Sequence, residues 1–116
     1  MADWAAACAA RGWKVSKTFV GVGLGPRQHR VRMRQIGTML ELSAEVPDVR
    51  DAEELVRMLE ENRSLLLAWW HVEGGRAVAR SSCRTTATAD EMVLRIRETA
   101  SLADGYELQR HEEDLL

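Results

Sequence analysis

The chain holds little of what builds specialised sites. Only two of its 116 residues are cysteines, Cys8 and Cys83, and no Cys-x-x-Cys spacing occurs. A disulfide-built scaffold and an all-cysteine zinc site are thereby excluded. Two buried thiols in a reducing compartment are expected, with a disulfide open only if the fold joins the pair. The three histidines, at 29, 71 and 111, lack metal-ligand spacing, so no metal or other cofactor is expected. Eight glycines and two prolines exclude a collagen-like repeat. No run approaches the ~18 apolar residues of a membrane span. The opening Met-Ala-Asp-Trp lacks the cationic start and apolar stretch of a secretory signal. A cytoplasmic protein without membrane contact is expected.

Catalytic signatures are missing as well. Ser64, Ser81 and Ser82 lie in no Gly-x-Ser-x-Gly context. "GVGLGP" at 21–26 is glycine-rich, but it lacks Gly-x-Gly-x-x-Gly spacing and leads into a strand. A phosphate loop needs the amides of a helix N-terminus, so this segment reads as a mobile hairpin loop. His71 has no evident partner for proton transfer. The expectation is a protein that is not an enzyme.

What is present is a globular composition, 46% hydrophobic and 29% charged, and a length that makes residues 1–116 one domain. The net charge of -2 is unevenly spread. Residues 1–47 carry seven Lys/Arg against three Asp/Glu, whereas 48–116 carry nine against fifteen. Fourteen of the sixteen cations are arginine. With a sequence pI near 5.9, no general nucleic-acid binding is expected.

Periodicity gives the elements. "DWAAACAARG" reads as a short helix capped by Asp3 and ended at Gly12. Trp4 and Trp13 dock it on the core. "WKVSKTFVGVGL" has strand composition. "RQHRVRMRQ" alternates, with Val31 and Met33 on one side and Gln28, Arg30, Arg32 and Arg34 on the other. "TMLELSAEV" alternates too, and a turn at Ile36-Gly37 would pair Arg32 with Glu41 and Val31 with Leu42. "DVRDAEELVRMLEEN" is an amphipathic helix capped by Asp48 or Asp51. Its expected buried stripe is Ala52, Leu55, Val56 and Leu59, and Asn62 is its left-handed stop. "SLLLAWWHVEGGRAVARSSC" is a hairpin about Gly74-Gly75 that pairs Trp70 with Ala79 and Trp69 with Arg80. "TADE" from Thr88 is a capping box that opens a helix to about Ala103 or Asp104, and "GYELQRHEEDLL" either extends it or breaks off at Gly105. The order α-β-β-β-α-β-β-α, with short turns between strands, predicts an α+β fold with an antiparallel sheet packed against helices.

The second half, from "LVRMLEEN" through the glycine-turn hairpin to "TADEM" and "ADGYE", resembles the YbjN-like family, which is related in fold to the type III secretion chaperones. "GTMLELSAEV" is similar to that family's third strand, so the resemblance spans most of residues 28–109. It implies a compact α+β protein, often a homodimer, that binds other polypeptides or acts as a regulatory adaptor. It carries over no catalytic residue.

Two surfaces stand out as candidate partner sites. Trp69, His71, Val78 and Arg80 share the hairpin face away from Trp70. Covering a large aromatic removes roughly 150–250 Å² from water, about 4–6 kcal/mol before association costs. Trp69 is therefore the expected anchor, with Arg80 placed to stack on its ring. The basic row Arg30, Arg32 and Arg34 is the second. The expected function is a homodimeric, non-catalytic protein-binding adaptor or chaperone-like protein. The alternative is a small-molecule-binding domain or small enzyme with its site over the sheet.

Overall fold

The computed structural model describes residues 4–46, 49 and 51–115, with side chains through residue 109. The alternating segments form one antiparallel sheet of six strands: β1 (Lys14–Val15), β2 (Phe19–Leu24), β3 (Arg27–Ile36), β4 (Met39–Val46), β5 (Trp69–Glu73) and β6 (Arg76–Arg84). Their spatial order is β1-β2-β3-β4-β6-β5. The helices are α1 (Trp4–Ala10), α2 (Ala52–Glu61) and α3 (Ala89–Leu115). The fold is α+β in the expected order, with the first strand divided into β1 and β2. Among the described residues no helix is long and apolar enough to cross a membrane.

One face of the sheet is the core. Val20, Val22, Val31, Leu42, Ala44, Ala77 and Ala79 alternate onto it, and α3 lays Val93, Ile96, Ala100 and Ala103 over them. Small side chains on both surfaces allow helix and sheet to approach closely. Trp70 fills the space beside them and meets Tyr106 edge to face, ring centroids 5.9 Å apart. Removing so large a buried ring costs about 3–5 kcal/mol. Ser81 and Thr99, both buried, satisfy each other at 2.9 Å, and Thr99 also donates to the Arg95 carbonyl.

The β5–β6 hairpin has the expected register, Trp69 opposite Arg80 and Trp70 opposite Ala79, because two glycines with positive φ fix its turn. The β3–β4 register differs. Arg34, not Arg32, lies opposite Glu41, and Met33 opposite Leu42. The turn centres on Gly37-Thr38, since an Ile36-Gly37 turn would put a β-branched residue where hairpin turns require positive φ. Gly37 takes that position at φ 61°. A slip of two residues keeps every side chain on its expected face. Most of "GVGLGP" is strand rather than loop. Val20 and Val22 are fully buried and hold β2 in register, leaving Gly25-Pro26 as the turn.

The helices hold two more differences and settle one open alternative. Asp51 caps α2 by accepting from the Glu54 amide at 2.9 Å, while Asp3 and Asp48 lie outside the described residues. The buried stripe of α2 is Leu55 and Met58. Ala52, Val56 and Leu59 face outward, with Val56 52% exposed. The helix is rotated because it meets the sheet only at the β5 end, where Asn62 fixes its exit. Asn62 is right-handed (φ -55°), not left-handed, and continues into a 3-10 turn. Its side-chain amide donates to the Trp70 carbonyl at 2.8 Å and accepts from the Trp70 amide at 2.6 Å. Finally, α3 passes through Gly105 without a break, held by side chains on both sides of the glycine. Asp104 pairs with Arg27 and His29, and the Tyr106 hydroxyl donates to Glu54.

α1 follows its expectation, with Gly12 at φ 80° just past its end. Cys8 is fully buried, and Trp4 and Trp13 pack partly buried against the core. Cys8 and Cys83 are both buried free thiols. Burial pushes each thiol above its ordinary value.

The uncovered face of the sheet

The period of two that buries Val31 and Leu42 necessarily turns their neighbours to the opposite face. Among the described residues no helix packs there, since the core side chains of α1, α2 and α3 all join the inner cluster. The seven candidate residues come together on this outer face. The registers give one row straight across it, Phe19–Arg32–Ser43–Arg80–Trp69, one residue from each of β2, β3, β4, β6 and β5. His71 lies opposite Val78 in the adjacent row. The central part forms a shallow depression of about 450 Å³ whose lining includes Phe19, Arg30, Arg32, Arg34, Val78 and Arg80.

The side chains differ in how free they are. Val78 is only 4% exposed and forms floor, not contact surface. Trp69 and His71 are half-buried. Arg80 does not stack on Trp69. Its guanidinium lies 3.4 Å from both Glu41 and Glu73 and is 16% exposed. Arg76 lies 3.7 Å from Glu45. Arg30 sits over the Phe19 ring at 4.2 Å. Among the described residues Arg32 and Arg34 have no ion pair.

Two features escaped the sequence reading. Phe19 enters the site because β2 pairs with β3, a neighbour relation that the β2 sequence does not mark. Arg80 finds Glu41 because β6, not β5, lies beside β4. Only the topology reveals that.

The edges of the sheet are partly blunted. Asn62 occupies the outward amide and carbonyl of Trp70 on β5, and β1, at the other edge, is two residues long. Such blunting suppresses pairing with a further strand.

A second polar cluster lies on the inner side. His29 is buried at 6% exposure with Nε2 2.8 Å from Asp104 Oδ1, and Arg27 Nε lies 2.6 Å from the same oxygen. Glu107 is 3.8 Å from His29. The Arg27 hydrogen bond, followed by that from His29, holds the Asp104 carboxyl below its ordinary value. A histidine oriented by an aspartate has the form of a base with its positioner. Here no hydroxyl or thiol joins the pair among the described residues, and the cluster pins α3 to β3. Among the described residues no group of His, Cys, Asp and Glu could hold a metal ion.

Compared with protein-family models and with curated proteins, the chain matches none. The class that fold and site define is an α+β domain with one sheet face packed under helices and the other left open.

Proposed function

We infer that the protein is a non-catalytic, protein-binding adaptor or chaperone-like protein that holds its partner across the open sheet face. One observation carries this reading: the face is uncovered across β2 to β5, yet carries Trp69, Phe19 and a row of arginines. A half-buried tryptophan beside a broad polar surface suits a protein interface better than an enclosed small-molecule site. The resemblance to the YbjN-like family agrees with it.

The same reading has the chain work as a homodimer. Its support is the outward stripe Ala52, Val56 and Leu59 on α2, flanked by Glu53 and Arg57. Two α2 helices related by a two-fold axis would bury these stripes and set Glu53 against the partner copy's Arg57.

A photo-crosslinking residue at Ser43, at the centre of the face, tests the adaptor reading in source cells. It should give a defined protein adduct that Trp69→Asp weakens and that the same probe at Arg97, exposed on α3, does not give. Equal labelling at both positions refutes the reading. For the dimer, sedimentation should show two copies for the wild type and one for Val56→Glu.

A further inference from the structure

We propose that the segment held on this face is extended and acidic, with carboxylates at every second residue, and that it lies along β3. The proposal rests on the adaptor reading and adds the partner's chemistry. The three glutamates of the face are already engaged by β6. Arg80 lies between Glu41 and Glu73, and Arg76 faces Glu45. That leaves the β3 row without an ion-pair partner of its own, although Glu41 stands opposite Arg34 in the register. Arg30 rests on an aromatic ring, and Arg32 and Arg34 have no ion pair among the described residues. The chain is net negative, yet this strip is positive, and a strip of one sign attracts the opposite sign.

Spacing then selects the form of the partner. Arg30, Arg32 and Arg34 stand two residues apart on one strand, about 6.8 Å at each step. An extended chain laid over β3 repeats that distance at its own alternate side chains. A helix with acids four residues apart steps about 6 Å and falls about 1.5 Å short by the third arginine. Each guanidinium is a planar fork suited to a carboxylate.

The geometry is unfavourable for single-stranded nucleic acid, which needs aromatic rings beside the cations on which bases stack. The Phe19 ring is covered by Arg30. Trp69 stands three strands away from β3, about 14 Å. A second copy is also unfavourable on this face, because the β3 strip would meet glutamates already paired within each sheet.

The test is fluorescence anisotropy at low salt with three probes: a peptide alternating glutamate and threonine, an isomer with its glutamates in one block, and an oligo-dT strand. The alternating peptide should bind several-fold more tightly than its isomer. Arg32→Gln combined with Arg34→Gln should weaken it about tenfold, the scale of two exposed charge-assisted contacts. Circular dichroism confirms that the variant remains folded. Equal binding of the two peptides overturns the alternate spacing. Tighter binding of oligo-dT, lost in the same variant, overturns the peptide class in favour of nucleic acid. Binding of no probe, with Ser43 crosslinking intact, overturns the acidic segment and leaves the adaptor reading standing. Loss of both overturns both.

Discussion

Asn62→Ala isolates the contact that joins α2 to the sheet edge. The side chain makes two hydrogen bonds to one residue, 2.8 Å to the Trp70 carbonyl and 2.6 Å from its amide. Both backbone groups point away from β6, so the substitution would leave them without a protein partner at a half-buried edge. Each lost bond costs about 1–1.5 kcal/mol, which gives about 2–3 kcal/mol for the pair. With a urea slope of about 1.5 kcal/mol/M, the unfolding midpoint should fall by about 1.3–2 M. Hydrogen exchange supplies the residue-specific reading: the Trp70 amide should be protected in the wild type and exchange rapidly in the variant. Asn62→Asp keeps the acceptor for the amide but sets a carboxylate oxygen against the Trp70 carbonyl, so it should recover little. The freed edge should also promote concentration-dependent self-association. A midpoint shift under about 0.3 M, or a Trp70 amide still protected, would refute the assignment.

Other substitutions test other parts of the fold. Gly105→Ala should stabilise the protein by about 0.5–1 kcal/mol, because Gly105 lies inside α3 and an added Cβ meets nothing within 4 Å; an unchanged or lower melting temperature would count against the continuous helix. Asp104→Asn should destabilise by about 1–3 kcal/mol at neutral pH, since Arg27 and His29 lose their shared acceptor. The Asp104 carboxyl is depressed below its ordinary value of 3.8. Its contribution is therefore complete above that value and lost as pH falls through the folded-state value below it. Urea melts across this range should show a shallower pH dependence in Asp104→Asn than in the wild type. Cys8 and Cys83 should react with a thiol reagent only at the rate of unfolding, because both are buried and their thiols are pushed up; rapid labelling of native protein would contradict their burial.

Local chemistry was readable where one residue type permits one conformation. The Gly74-Gly75 turn fixed five cross-strand pairs without knowledge of the rest of the fold. Alternation placed Arg30, Arg32 and Arg34 on one face, because a period of two survives even a two-residue slip of register. The slip itself arose from placing Gly37 at the second turn position instead of the first, a register in which Arg32 opposite Glu41 is self-consistent and so raises no conflict. The rotation of α2 was hidden because Ala52, Val56 and Leu59 form as good an apolar stripe as Leu55 and Met58; only the docking site on β5 distinguishes them. The extent of α3 was left open between a break at Gly105 and continuation for a related reason. Gly105 looks like a stop in isolation, but Asp104 and Tyr106 bind it to β3 and α2 on both sides. The partners of Arg80 depended on β6 inserting between β4 and β5, a fact of topology and not of any segment.

The order in which the chain leaves the ribosome gives α3 a further role. All six strands precede it, and it alone spans the inner face from β6 to β2. Until residues 89–103 have emerged, Val31, Leu42 and Ala79 have no cover, and the nascent sheet presents two bare surfaces instead of one. The sheet edges are already blunted at that stage, by the two-residue β1 and by Asn62 on β5. These devices therefore guard the nascent chain during the interval when its apolar face is open to other unfinished chains.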